Sequence, residues 1–111
     1  MDRRTLPKQH LLRTTGDFQR VYKSGRRLRG DGYGLIFLAN ALEFNRLGIS
    51  VQRKAGNAVR RNRIKRLIRE VFRLHRDQFP PSADIVFTVR PEFAIDSLLD
   101  MHTSVVRLIG A

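Results

Sequence analysis

Residues 57–76 constrain the fold of this chain more than any other segment, because apolar and cationic side chains recur there with the period of an α-helix. At about 100° per residue, four apolar residues fall on one stripe, which predicts a helix packed on a core. The stripe consists of Ile64, Leu67, Ile68 and Val71. The opposite side gathers Asn62, Lys65, Arg66, Arg69, Arg73 and Arg76. Residues 53–76 hold ten Lys or Arg residues and a single acid, Glu70. Because like charges repel, this side is predicted to bind a polyanion.

The charge of the whole chain indicates that this polyanion is a nucleic acid. The 111 residues carry a formal net charge of +12, and 18 of the 22 cations are Arg. A guanidinium matches phosphate oxygens and stacks on bases, which favours nucleic acid over a general acidic partner. A membrane surface is less favoured, since the sequence has no long apolar run and no signal-like segment. We therefore expect a soluble, cytoplasmic protein.

The periodic segments predict one small α+β domain over residues 1–111, with residues 1–10 flexible. Thr14 and Asp17 have the spacing of a helix capping box, and Asn57 is a good N-cap for the basic helix. Strands are predicted near residues 27–29 and over residues 33–39, 47–51 and 85–89, and a last helix over residues 96–109. The order αβββαβα predicts a two-layer α–β sandwich with a small sheet.

No catalytic residue and no metal ligand is predicted among the side chains. The chain has no cysteine, and its three histidines are scattered, with no carboxylates at ligand spacing around them. A nuclease acting by itself would need a histidine pair or clustered carboxylates. We also expect no organic cofactor bound to the protein.

Aromatic residues indicate a second binding element. Phe18, Tyr22, Tyr33 and Phe37 lie in the predicted first helix and the first long strand. Core filling is the better explanation for Phe18 taken alone, whereas the polar tips of Tyr22 and Tyr33 favour exposed rings. Exposed rings stack on single-stranded bases, at about 1–3 kcal/mol per base. These rings therefore predict a platform for single-stranded nucleic acid.

Residues 54–69 resemble the signature of the bacterial ribonuclease P protein subunit. The hallmark of that family is Arg-Asn-Arg followed by Lys-Arg and by another Arg on the next turn. The matching residues here are Arg61, Asn62, Arg63, Lys65, Arg66 and Arg69. Residues 12–25 are similar to the opening helix of the family, and residues 47–51 and 85–91 to the strands that flank the motif.

The resemblance implies a fold and a role. The fold would be a small α–β sandwich with a left-handed βαβ crossover, opposite to the usual hand. The role would be that of a protein subunit joined to a catalytic RNA, which removes the 5′ leader from precursor tRNA. The catalytic RNA and precursor tRNA would be its partners, and Mg²⁺ would act through the RNA.

The resemblance also implies two sets of site residues. The RNA-binding set takes six residues from the motif and Arg73 from the charge pattern: Arg61, Asn62, Arg63, Lys65, Arg66, Arg69 and Arg73. A leader cleft between the first helix and the sheet would be lined by Phe18 and Tyr22, with Lys54 at its rim. The candidates on the strand are Tyr33, Ile36 and Phe37, because Ile36 stands where family members can carry an aromatic residue.

Other classes of protein are less favoured. A generic RNA-binding or ribosome-associated protein would account for the charge but not for the motif. A protein-only nuclease lacks its acid–base residues. A helix-turn-helix DNA reader is disfavoured because predicted strands flank the basic helix on both sides.

Overall fold

The structure, a computed structural model, describes residues 6–110 and has the predicted order of helices and strands. The elements are α1 (Thr15–Ser24), β1 (Arg26–Arg29), β2 (Tyr33–Ala39), β3 (Arg46–Val51), α2 (Ala58–Leu74), β4 (Ala83–Val89) and α3 (Leu98–Gly110). Short 3-10 turns occupy Lys8–His10, Arg53–Ala55 and Arg76–Gln78. The α+β class inferred from the sequence is confirmed. No helix in this described part is long and apolar enough to cross a membrane.

The four strands form one mixed sheet in the order β1-β2-β4-β3. β1 and β4 both pair antiparallel with β2, whereas β3 pairs parallel with β4, from Arg46 opposite Asp84 to Val51 opposite Val89. A parallel pair needs a crossover connection, and α2 provides it. The basic helix is therefore held between two neighbouring strands. The left hand of this crossover stays a prediction.

The core is divided between the two faces of the sheet, because side chains alternate along each strand. α2 and α3 cover one face, where Leu35 and Phe87 belong to the larger cluster of buried residues. α1 packs on the other face, where Val21 joins Ile36 and Val86 in a smaller cluster. Alternate residues of one strand therefore pack under α1 on one face of the sheet and under α2 and α3 on the other.

Side-chain caps set the start of α1 and of α2. Thr14 Oγ1 accepts a hydrogen bond from the Asp17 N–H at 3.1 Å, and Asn57 Oδ1 accepts one from the Arg60 N–H at 2.9 Å. Each bond satisfies an N–H group that the first helical turn leaves without an internal partner. Both predicted caps are confirmed.

The chain before α1 runs along the outer edge of β3. Leu11 forms an isolated parallel bridge with Leu47, and the Leu12 N–H donates to the Leu47 carbonyl at 2.8 Å. His10 stacks on Phe44, with ring centroids 4.1 Å apart. The expected flexibility of residues 1–10 falls partly outside the described residues and stays a prediction.

Candidate nucleic-acid interface

The cationic side of α2 faces outward because the core occupies its opposite side. Ile64, Ile68 and Val71 are at most 4% exposed and pack in the larger cluster. All seven predicted RNA-binding residues lie on α2 and none is buried. Asn62, Arg63, Arg66 and Arg69 are exposed, and Arg61, Lys65 and Arg73 are half-buried. The helix therefore presents the predicted set at the surface.

Arg73 differs from the exposed arginines because it has a carboxylate partner. Its Nε and Nη2 donate to the two carboxylate oxygens of Glu70, at 3.0 and 2.9 Å. This hydrogen-bonded pair holds the pKa of Glu70 below its ordinary value. Because Glu70 offsets its charge, we expect Arg73 to attract an anion less strongly than Arg66 or Arg69 does.

Two other arginines of the basic segment support the fold. Arg60 donates from Nε to the Ala55 carbonyl at 2.7 Å and from Nη2 to the Phe93 carbonyl at 2.6 Å. Arg76 donates from Nε to Asn45 Oδ1 and from Nη2 to the Asn45 carbonyl, both at 2.7 Å. The expectation that Arg76 extends the cationic side of the helix is wrong. Since α2 ends two residues earlier, the helical period no longer sets the direction of this side chain.

A groove of ≈ 320 Å³ lies between the start of α1, β3 and α2, and we call it the α2 groove. Lys65 and Arg69 line it from α2, and Phe18 lines it from α1. Lys8 and Arg13 contribute two more cations from the chain before α1. The groove combines positive charge with an aromatic ring. Single-stranded nucleic acid needs both, because its phosphates pair with cations and its bases stack on rings.

Gly48 allows the Phe18 ring to lie directly on β3. A Cβ at residue 48 would stand 2.8 Å from Phe18 Cζ and 3.1 Å from Leu12 Cβ, so any side chain there would displace the ring. Phe18 is half-buried, and its ring centroid is 6.2 Å from that of Tyr22, which is also half-buried. Both rings are thus held against the core while part of each remains accessible.

Tyr33 and Phe37 lie on the opposite face of the sheet from α1, so the prediction that they join Phe18 and Tyr22 is wrong. Tyr33 is 0% exposed, and its hydroxyl is hydrogen-bonded to Ser104 Oγ of α3 at 2.7 Å. Its polar tip therefore has a buried partner and does not need solvent. Phe37 has the same parity along β2 and packs on the same cluster.

Ile36 and Lys54 complete the predicted cleft set. Ile36 is the β2 candidate that faces α1, and it is 2% exposed within the smaller cluster. Lys54 is exposed in the turn Arg53–Ala55, which follows β3, and it does not line the α2 groove. The structure thus brings Phe18, Tyr22 and Ile36 together and leaves Lys54 beyond the end of the strand.

A second groove, of ≈ 190 Å³, opens beside β1, and we call it the β1 groove. It is lined by three arginines, Arg27, Arg29 and Arg90, together with residues of β2 and β4. The strand register sets Arg27 opposite Ile36, so the groove opens on the face that carries α1. Sequence reasoning missed these arginines. The available signal was the alternation of Arg27 and Arg29 around the apolar Leu28, which shows that the two arginines share a side but not which side.

Carboxylates and histidines do not converge on either groove. Across residues 6–110, no three His, Cys, Asp or Glu side chains lie close enough together to hold a metal ion. The α2 groove therefore offers cation pairing and ring stacking, and the β1 groove offers cation pairing.

The fold and the two grooves define a small basic α–β protein whose cation-lined grooves suit single-stranded nucleic acid. The family model for Ribonuclease P matches residues 6–111. The chain belongs to the ribonuclease P protein family, and as a member it is a subunit of a tRNA-processing ribonucleoprotein nuclease.

Individual relatives agree over nearly the whole chain. The ribonuclease P protein component of Desulfotalea psychrophila is 54% identical over 110 residues, which are 99% of this chain and 92% of that protein. The solved RNase P protein of Staphylococcus aureus superposes with a TM-score of 0.81 at 33% identity, covering 91% of this chain and 93% of the other. The RNase P protein of Thermotoga maritima gives a TM-score of 0.75 at 31% identity over 98% of both chains.

Proposed function

We propose that this chain binds the catalytic RNA of ribonuclease P through α2 and holds the 5′ leader of precursor tRNA on the α1 face of the sheet. In this proposal the protein cuts nothing itself. It lowers the electrostatic cost of bringing two RNAs together and fixes where the leader lies. The proposal places the protein in the cytoplasm, together with its RNA partners.

The observation that carries this proposal is the composition of the α2 groove. Lys65 and Arg69 belong to the motif helix, and the same groove is lined by Phe18 of α1. A strand bound there would meet motif cations with its phosphates and the Phe18 ring with a base. Docking of the catalytic RNA and holding of the leader would therefore occur on adjoining surfaces.

The β1 groove extends this surface across the sheet. β1 and β3 are the two outer strands of the sheet. An RNA chain that crosses the sheet beside α1 would therefore pass from the cations of the α2 groove, Lys65 and Arg69, to those of the β1 groove, Arg27 and Arg29. Neighbouring strands lie about 4.8 Å apart, so three spacings amount to about 14 Å. Such a path is long enough to hold several nucleotides, which fits a leader better than a single base.

The chemistry in this proposal comes from Mg²⁺ held by the RNA subunit. The side chains of the protein bind and orient the substrate, and correct orientation alone removes much of the entropic cost of reaction. Protein cations also neutralise phosphates, which reduces the amount of Mg²⁺ that the assembly needs to stay together.

A reconstitution experiment tests the proposal. Precursor tRNA is incubated at low Mg²⁺ with the protein, with the catalytic RNA, or with both, and release of the leader is followed. We expect cleavage with both components and little with either one alone. The matched substrate control is mature tRNA, which lacks a leader and should gain less affinity from the protein.

Two results would contradict the proposal. Cleavage by the protein alone would make it a nuclease in its own right. If the protein bound RNA but did not rescue the catalytic RNA, a general RNA-binding function would be the better description.

A further inference from the structure

Asp84 is a buried carboxylate on the α1 face of the sheet, and neither groove includes it. Its side chain is 1% exposed, in β4 between the partners Leu38 and Arg46 on the neighbouring strands. A buried charge is costly unless hydrogen bonds compensate it. The residues that donate hydrogen bonds to the carboxylate show which parts of the fold it links.

Three elements provide donors to this carboxylate. Arg46 of β3 donates from Nε to Oδ1 and from Nη2 to Oδ2, both at 2.7 Å. Asn40, after β2, donates to Oδ1 at 3.0 Å, and Arg20 of α1 donates to Oδ2 at 2.8 Å. Burial by itself raises the pKa of Asp84, but these hydrogen bonds outweigh it and keep that pKa below its ordinary value. The group is therefore ionised at neutral pH.

The contribution of Arg20 differs from those of Arg46 and Asn40. Arg46 and Asn40 belong to the sheet and its adjoining loop, so their bonds hold the sheet to itself. Arg20 comes from α1, and its side chain is 48% exposed. It lies between Phe18 and Tyr22 in the sequence, so the Arg20–Asp84 contact links the helix that carries both rings to the sheet. Asp17, one turn earlier, lies 3.6 Å from the Arg20 guanidinium and helps to orient it.

We propose that Arg20 is a positioning residue: through its ion pair with Asp84 it fixes α1 on the sheet, so that Phe18 and Tyr22 are aligned for the leader. The inference rests on the proposed function, because it concerns the same leader surface. It assigns to Arg20 a role that needs no contact with RNA.

The sign of the charge change separates positioning from direct RNA binding. If Arg20 acted as a cation for phosphate, removing the negative charge of Asp84 would strengthen RNA binding. If Arg20 acts by holding α1, the neutral variant Asp84→Asn weakens leader binding although the protein becomes more positive. The two roles thus predict opposite effects of one substitution.

The experiment uses the reconstituted holoenzyme with three variants. Arg20→Met removes the contact to α1 and leaves the bidentate Arg46–Asp84 pair in place. Asp84→Asn removes the charge that Arg20 meets and also the charge that Arg46 pairs with, so urea unfolding of each variant is measured beside binding. Arg26→Met is the control, because it removes one exposed cation from β1 at a position that lines neither groove. Affinity and KM are measured with leader-bearing precursor and with mature tRNA.

We expect Arg20→Met and Asp84→Asn each to raise KM for the leader-bearing precursor by about tenfold, with kcat nearly unchanged. Tenfold corresponds to about 1.4 kcal/mol, similar to the loss of one base-stacking contact. Affinity for mature tRNA and for the catalytic RNA should match that of Arg26→Met. Arg20→Lys, which can still reach the carboxylate, should recover part of the loss.

Three results would overturn the inference. Asp84→Asn could bind leader as tightly as the unaltered protein or more tightly. Arg20→Met could weaken leader-bearing and mature tRNA equally, as loss of a general cation would. Arg20→Met could also unfold the protein, in which case the pair maintains the fold and does not position a helix. Failure of the proposed function is distinguishable, because then the unaltered protein itself would not discriminate between the two tRNAs.

Discussion

Arginine has two roles along α2 and just beyond it, and the hydrogen-bond partners distinguish them. Arg66 and Arg69 are exposed on the outer side of the helix, and Arg69 lines the α2 groove. Arg76 instead bonds twice to Asn45, which is 4% exposed, and its guanidinium lies 4.9 Å from the Phe72 ring centroid. Arginine is therefore exposed and free to meet an anion at one position, and supports the core at another.

Substituting one arginine of each kind should separate these roles. Arg76→Ala leaves buried acceptors on Asn45 without their donor, and we expect it to lower the free energy of unfolding by about 2–3 kcal/mol. Arg69→Ala should change stability by less than about 0.5 kcal/mol, as surface substitutions do, while weakening RNA binding. Urea unfolding and RNA titration of both variants check this. Equal losses of stability would contradict the assignment.

The sequence allowed the first role to be predicted but not the second. A helical period shows which side chains share a side of α2, and the outward set from Asn62 to Arg69 follows from it. Arg76 lies past the helix end, and its partner Asn45 is 31 residues away, so no local pattern links them. The prediction for Tyr33 was wrong for a similar reason. Alternation along β2 shows that Tyr33 and Ile36 face opposite sides of the sheet, but only the packing of α3 shows that the side of Tyr33 is buried under that helix.

At the level of elements, a pair of histidines joins the end of α2 to α3. The rings of His75 and His102 stack with centroids 3.5 Å apart and planes at 10°. His102 Nε2 is 2.9 Å from Gln78 Oε1. Burial, and secondarily the neighbouring His102, lower the pKa of His75 below 6.5. Charging both rings would place two cations face to face.

This contact predicts loss of stability in mild acid. A histidine whose pKa is lower in the folded chain stabilises fully above its ordinary value near 6.5, and that contribution is lost as the pH falls through the folded pKa. His10 acts in the same direction, since burial and then Arg76 lower its pKa. We expect the free energy of unfolding to fall between pH 7.5 and about pH 5.

Denaturant unfolding at the two pH values, with His102→Gln as the variant, measures the contribution of the stacked pair. The variant should show a smaller difference between pH 7.5 and about pH 5, because the part of the lowered pKa of His75 that comes from its neighbour His102 is then removed. His10→Gln measures separately the contribution of His10, which lies outside this contact. An unchanged pH difference in His102→Gln would show that the stacked pair is not responsible.

Most boundaries of helices and strands could be predicted from local signals in the sequence, whereas the contacts between these elements could not. Caps at Thr14 and Asn57, and the apolar run of β4, are readable within a few residues. The link from Arg20 to Asp84 spans 64 residues, so periodicity carries no information about it. The β1 arginines were missed because a four-residue strand is too short to show which side faces α1.

For the whole molecule, the distribution of charge matters more than its total. Of ten acidic residues, four surround a single groove between the β1–β2 turn and the start of α3: Asp31, Glu92, Asp96 and Asp100. The α2 groove is lined by four cations and no acid. The field of the protein therefore favours a polyanion at the α2 groove and disfavours one at the acidic groove, which orients the encounter with RNA.

The salt dependence of binding should reflect this uneven distribution. About six cations around α2 and its groove are placed to meet phosphate: Lys8, Arg13, Arg63, Lys65, Arg66 and Arg69. For a short single-stranded RNA that occupies this surface and not the β1 groove, at about 0.7 counterion per contact, a plot of log affinity against log salt should have a slope near −4. Replacing Lys65 and Arg69 together by Ala should reduce the slope to about −3. Titrations from low to moderate KCl measure both slopes, and equal slopes would place the contacts elsewhere.

The bridge from Leu11 to Leu47 has a consequence for how the molecule behaves before RNA arrives. β3 is an outer strand, and an uncovered strand edge offers N–H and carbonyl groups to any other extended chain. Residues 11 and 12 occupy part of that edge, and β1, the other outer strand, carries three arginines that repel a like-charged neighbour. Both edges of the sheet are therefore protected against pairing with a strand of a second copy, which disfavours aggregation of the protein before it binds RNA.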